Sequence, residues 1–97
     1  MKATIRPGIQ IPEALAPKFA EVTNRIFDQI NSVYASHREA NAIVHIGKGK
    51  NKQVFALRCQ FEREGEQLSI LNIGAATEDE SQLKFNASNP VPAIVRL

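Results

Sequence analysis

The chain holds one cysteine, Cys59, among its 97 residues, so no disulfide can form within it. A framework of bridges like those that hold small secreted proteins together is excluded, and a reducing, cytoplasmic setting is expected. Long hydrophobic runs are missing as well. The opening segment, Met1-Lys2-Ala3-Thr4-Ile5-Arg6-Pro7-Gly8, is too polar for a secretory leader. No window approaches the roughly 18 apolar residues of a membrane span, and there is no lipidation motif. The expectation is a complete, small cytoplasmic gene product without membrane association. Nor does one sign of charge prevail: 12 basic and 10 acidic side chains leave +2, far from the field of a dedicated nucleic-acid binder. Repeats, low-complexity tracts, Gly-x-Ser-x-Gly, Cys-x-x-Cys and the dinucleotide-binding glycine pattern are all absent. No cofactor is expected.

What is present suits a single domain spanning 1–97. A chain of this length supports one core and buries roughly 60–65% of its unfolded surface. Its 43% apolar and 23% charged residues are ordinary for a globular protein. Residues 2–11 alternate loosely around Pro7-Gly8, a turn-forming pair, which predicts a short strand on one or both sides. Next, Phe19, Val22, Ile26, Ile30, Val33 and Tyr34 recur at spacings of three and four, forming one helical stripe. Lys18, Glu21, Asn24, Arg25, Asp28, Asn31 and Ser32 occupy the other side. Pro17 is tolerated in a first turn, where its missing N–H costs nothing. The spacing predicts a helix from about 17 to 36, with a turn beginning at Pro12.

From Asn41 the period falls to two. Ala42, Val44 and Ile46 alternate with Ile43 and His45, and Gly47-Lys48-Gly49-Lys50-Asn51-Lys52 forms a turn. Phe55, Leu57, Cys59 and Phe61 then alternate with Val54, Ala56, Arg58, Gln60 and Glu62. A second turn, Arg63-Glu64-Gly65-Glu66, leads to Leu68 through Ile73. A looser loop carrying Glu78-Asp79-Glu80 leads to Leu83-Lys84-Phe85. The proline-containing tail can supply only an edge strand over its last residues. Short turns imply antiparallel hairpins. They pair Val44 with Phe55, Ala42 with Leu57, Phe61 with Leu68 and Cys59 with Ile70, all on the face that receives the helix. The fold class is therefore α+β: one long amphipathic helix on an antiparallel sheet of four to five strands, ordered β-α-β-β-β with an extra edge strand.

The opposite face of that sheet carries Ile43, His45, Val54, Ala56, Leu71 and Ile73, with Arg58, Gln60 and Ser69 toward one end. Such a face is ordinarily polar. Its four large aliphatic side chains are worth about 1.5–3 kcal/mol each when covered. Either the chain's own ends cover them, or Ile43, Val54, Ala56, Leu71 and Ile73 form an interface with a second copy or another protein.

Three further features are candidates. Lys48, Lys50 and Lys52, with Arg58 beyond them, offer a phosphate or nucleic-acid contact, although the turn joins two strands and holds no aromatic residue for stacking. Glu78-Asp79-Glu80 would return to the same end of the sheet and could neutralise it. His37 and His45 are the only histidines, and general acid–base cleavage of a phosphodiester would require them together. A strand of eight residues separates them by up to about 26 Å, and neither has partners at metal-ligand spacing. Cys59 falls on the inner face, as a small hydrophobe. The acidic turn, Glu62, Glu64 and Glu66, lacks the cleft that paired catalytic carboxylates need. The leading expectation is a small, non-enzymatic regulator or inhibitor, of the kind carried by bacteria and phages, acting as a homodimer or on another protein. The alternative is a nucleic-acid-binding module, and a small ribonuclease is the third class.

Overall fold

The computed structural model describes residues 2–33, 39–62, 64–76 and 93–97. Strand β1 (Lys2–Ile5) opens the chain. It stops at Arg6-Pro7-Gly8-Ile9, where the Ile9 amide donates to the Arg6 carbonyl at 3.2 Å. Gly8 takes φ +90°, the left-handed position that follows proline in a type II turn. A second turn starts at Pro12, whose carbonyl accepts from the Leu15 and Ala16 amides. A 3-10 turn over Ala16–Lys18, containing Pro17, then runs directly into helix α1 (Phe19–Val33). The observed helix is shorter than the expected 17–36 at its start, and Tyr34 to Ser36 lie outside the described residues.

Val22, Ile26 and Ile30 are fully buried along the stripe, and Phe27 and Thr23 extend it sideways. The Thr23 hydroxyl donates to the Ala20 carbonyl at 3.0 Å, so its burial leaves no orphaned donor. Leu15, from the loop before the helix, is fully buried too. These side chains meet the inner face of a five-stranded sheet, built from Ala42, Val44, Phe55, Leu57, Cys59, Phe61, Leu68, Ile70, Ala93 and Val95.

Beyond β1 the strands are β2 (Glu39–Ile46), β3 (Gln53–Glu62), β4 (Gln67–Ala76) and β5 (Ala93–Arg96), in the spatial order β1-β4-β3-β2-β5. The two hairpins expected from the short turns are present. Val44 faces Phe55, Ala42 faces Leu57, Phe61 faces Leu68 and Cys59 faces Ile70. The sheet is mixed, however, which corrects the purely antiparallel expectation. β1 pairs parallel with β4 and β5 parallel with β2. A tight turn dictates antiparallel pairing; β1 and β5 join neighbours that do not follow them in the chain, so nothing local sets their direction. The segment Leu83-Lys84-Phe85 lies outside the described residues.

A second correction concerns β4. Arg58 pairs with Asn72 while Cys59 pairs with Ile70, so Leu71 is the extra residue of a β-bulge. Past the bulge the alternation reverses. Ile73, expected on the outer face, pairs with Leu57 and packs against the core beside the helix.

The free edge of β5 is closed by the helix. Gln29 donates to the Ile94 carbonyl at 2.7 Å and accepts from the Ile94 amide at 3.0 Å. Arg25 donates to the Arg96 carbonyl at 3.2 Å. The other edge, β1, is only four residues long and flanked by Lys2 and Arg6-Pro7. Short length, charge and proline are the usual defences of an uncovered edge.

Candidate anion-binding site

The outer face, turned away from α1, divides into two halves. Toward the lysine turn, Ile43, His45 and Val54 are only 3%, 4% and 8% exposed within a single chain, though none belongs to the helix-side core cluster. Of the five residues expected to form an interface, Ile43 and Val54 are therefore already covered, and Ile73 points toward the helix. Ala56 is exposed and Leu71 half-buried. Ile94, on β5, adds an apolar side chain 38% exposed.

Toward the acidic turn the same face is polar. Thr4, Ser69, Gln60 and Glu39 stand in one row across β1, β4, β3 and β2. The Thr4 hydroxyl donates to Ser69 Oγ at 2.9 Å, and Gln60 Nε2 donates to Glu39 Oε1 at 3.3 Å. Arg58 lies 3.6 Å from Glu39 Oε2, an exposed pair. Glu62, Glu64 and Glu66 are exposed beyond the row. In that turn Glu66, rather than Gly65, takes the left-handed backbone at φ +47°, and its carbonyl accepts from the Lys2 amide at 2.7 Å.

The opposite end of the sheet is basic. β2 finishes at Ile46, and Gly47 turns the chain at φ +88°, where a Cβ would stand 3.1 Å from the Asn51 carbonyl oxygen. Asn51 and Lys52 amides close a 3-10 turn on the Lys48 and Gly49 carbonyls, at 3.3 and 3.2 Å. The tail of β5 locks onto the same place: the Leu97 amide donates to the His45 carbonyl at 2.9 Å, and the Gly47 amide to the Leu97 carbonyl at 3.2 Å.

This junction encloses a cavity of about 400 Å³, lined by His45, Gly47, Lys48, Gly49, Lys52, Arg96 and Leu97. Arg96 lies opposite His45 in the register of β5 on β2 and shares its face. Lys48, Lys52 and Arg96 thus reach one cavity from two distant parts of the chain, with no acidic residue among its described lining. Lys50 stands exposed at the tip of the turn.

Arg58, grouped with these lysines on the sequence alone, is not part of the cluster. It sits five residues beyond Gln53, roughly 17 Å along the strand, and its ion pair is with Glu39. Arg96 takes its place. The alternation of buried Ala93 and Val95 with exposed Ile94 and Arg96 was the available signal, but the neighbour of β5 was not legible. His37 and Glu78-Asp79-Glu80 lie outside the described residues, although β4 does return to the lysine end, where Ala76 pairs with Val54. Cys59 is fully buried, and burial pushes its thiol up to about 12, which keeps it protonated and unreactive. Among the described residues, no three His, Cys, Asp or Glu side chains gather closely enough to hold a metal ion, and no helix is long and apolar enough to cross a membrane. No family model matches the sequence, and no curated protein or solved structure is similar to it.

Proposed function

We propose that this protein is a non-enzymatic binder of phosphate-bearing nucleic acid, which it holds through the basic cavity at the lysine end of the sheet. One observation carries the reading: Lys48, Lys52 and Arg96 converge on a single cavity from the β2–β3 turn and from β5. Cations gathered on a concave surface concentrate anions there, and each phosphate they neutralise releases a counterion. The absence of aromatic side chains from the described lining favours contact with the phosphate backbone over recognition of bases.

The test is a salt titration of binding to single-stranded and double-stranded oligonucleotides. Three or four phosphate contacts give a slope of about −2 to −3 in log K against log salt. The Lys48→Ala, Lys50→Ala, Lys52→Ala triple variant should lose most of the affinity. No detectable binding at low salt, or a triple variant that binds like the parent, removes the reading.

A protein-docking or homodimer surface on the outer face has less support. Its accessible apolar residues are Ala56, Leu71 and Ile94, because Ile43 and Val54 are already covered and Ile73 faces inward. Sedimentation decides it: a dimer at high micromolar concentration that dissociates in Ile94→Ser would revive it.

A further inference from the structure

We infer that the cavity takes a phosphate monoester, the terminal phosphate of a nucleic-acid strand, in preference to the diester links of the strand's interior. The inference rests on the phosphate-binding reading above and narrows it to one end of the strand.

The distribution of charge argues for an end. A protein that tracks a polyanion needs a basic path along which successive phosphates can lie. Here the cations stop at the cavity. Along β3 the outer face continues with Ala56, then Arg58, already paired with Glu39, then Gln60. The row of Thr4, Ser69, Gln60 and Glu39 is neutral to acidic, and Glu62, Glu64 and Glu66 lie past it. A strand laid along the sheet would run from a basic end into an acidic one. A strand that presents its terminus and leaves into solvent meets only the cations.

The chemistry of the lining agrees. A phosphate monoester carries a charge near −2 at neutral pH and has three free oxygens. A diester carries a single charge and has two. Arg96 offers a planar fork suited to two oxygens at once, while Lys48 and Lys52 supply point charges for the third. The cavity of about 400 Å³ is larger than a phosphate and leaves room for the attached sugar. Leu97 gives part of the wall an apolar surface, and the described lining offers no stacking platform for a base.

The experiment compares three oligonucleotides of one sequence, bearing a 5′-phosphate, a 3′-phosphate or hydroxyls at both ends, by fluorescence anisotropy at low salt. Inorganic phosphate and ribose 5-phosphate serve as competitors. A terminal phosphate should raise affinity about tenfold over the hydroxyl form, in keeping with its second charge. Arg96→Gln should abolish that preference, while Arg58→Gln keeps it, with circular dichroism confirming that both variants fold. Equal affinity for the phosphorylated and hydroxyl forms overturns the terminal-phosphate inference and leaves the broader phosphate-binding reading standing. Failure of every oligonucleotide and of inorganic phosphate to bind removes both. Competition by ribose 5-phosphate at concentrations matching the oligonucleotide would keep the monoester and overturn the nucleic-acid strand as its carrier.

Discussion

Near the lysine turn, the face of the sheet turned away from α1 holds Ile43, His45 and Val54, all buried within one chain. Near the acidic turn, the same face carries Thr4, Ser69, Gln60 and Glu39, tied in hydrogen-bonded pairs and facing water. The same two strands, β2 and β3, run through both halves, and their side chains alternate regularly throughout. Alternation therefore says which face a residue occupies, and says nothing about whether that face is wet. Apolar identity at one end and polar identity at the other is what distinguishes a covered region from an open one. The distinction has a functional consequence, because the covered half borders the basic cavity and the open half cuts it off from any further cations.

Truncation in the covered half should give the largest effect. Ile43→Ala is expected to cost about 2–4 kcal/mol in urea unfolding, since removing buried atoms also leaves a cavity. A loss below about 0.5 kcal/mol, typical of surface positions, would break the contrast between the halves.

The inner face offers the next test, directly beneath the polar half. Cys59 is raised by burial to about 12 from 9.0, so between those values the folded chain retains a proton that the unfolded chain releases. Stability is then fully present below pH 9 and falls as pH rises, by about 1.4 kcal/mol per pH unit attributable to this thiol. Unfolding curves at pH 8 and pH 10.5 should separate more for the parent than for Cys59→Ala. Identical pH dependence in the two proteins would mean that the inner face is not dry at that position.

Leu71, half-buried at the bulge, lies between the extremes. Leu71→Ala should cost about 1 kcal/mol, in proportion to the smaller area it removes from water; a cost equal to that of Ile43→Ala would erase the boundary. The smallest effect belongs to the polar row. Thr4→Val removes the donor to Ser69 and should cost about 0.2–1 kcal/mol, the usual worth of a cross-strand pair. A larger cost would show that this row is a structural network and not a solvated surface.

Much of the fold was legible locally. The stripe through Val22, Ile26 and Ile30 specifies the helix, and Pro7-Gly8 specifies its turn. The two hairpins follow from the short turns, which leave each strand only one way to pair. Ile73 was misplaced because a bulge at Leu71 changes the parity of everything after it, and no residue type marks that insertion. Of the cavity, only the three lysines were legible. Arg58 was grouped with them by its charge, and Arg96 was passed over because its strand was known without its neighbour.

Composition, spacing and turn chemistry act over a few residues, and they were sufficient to specify one helix, two hairpins and a basic loop. The parallel seating of β1 on β4 and of β5 on β2, and with it the meeting of Arg96 with Lys48 and Lys52, depends on segments far apart in the chain. Such contacts are selected by the burial of the whole core and not by any local preference, so they emerged only in the folded molecule.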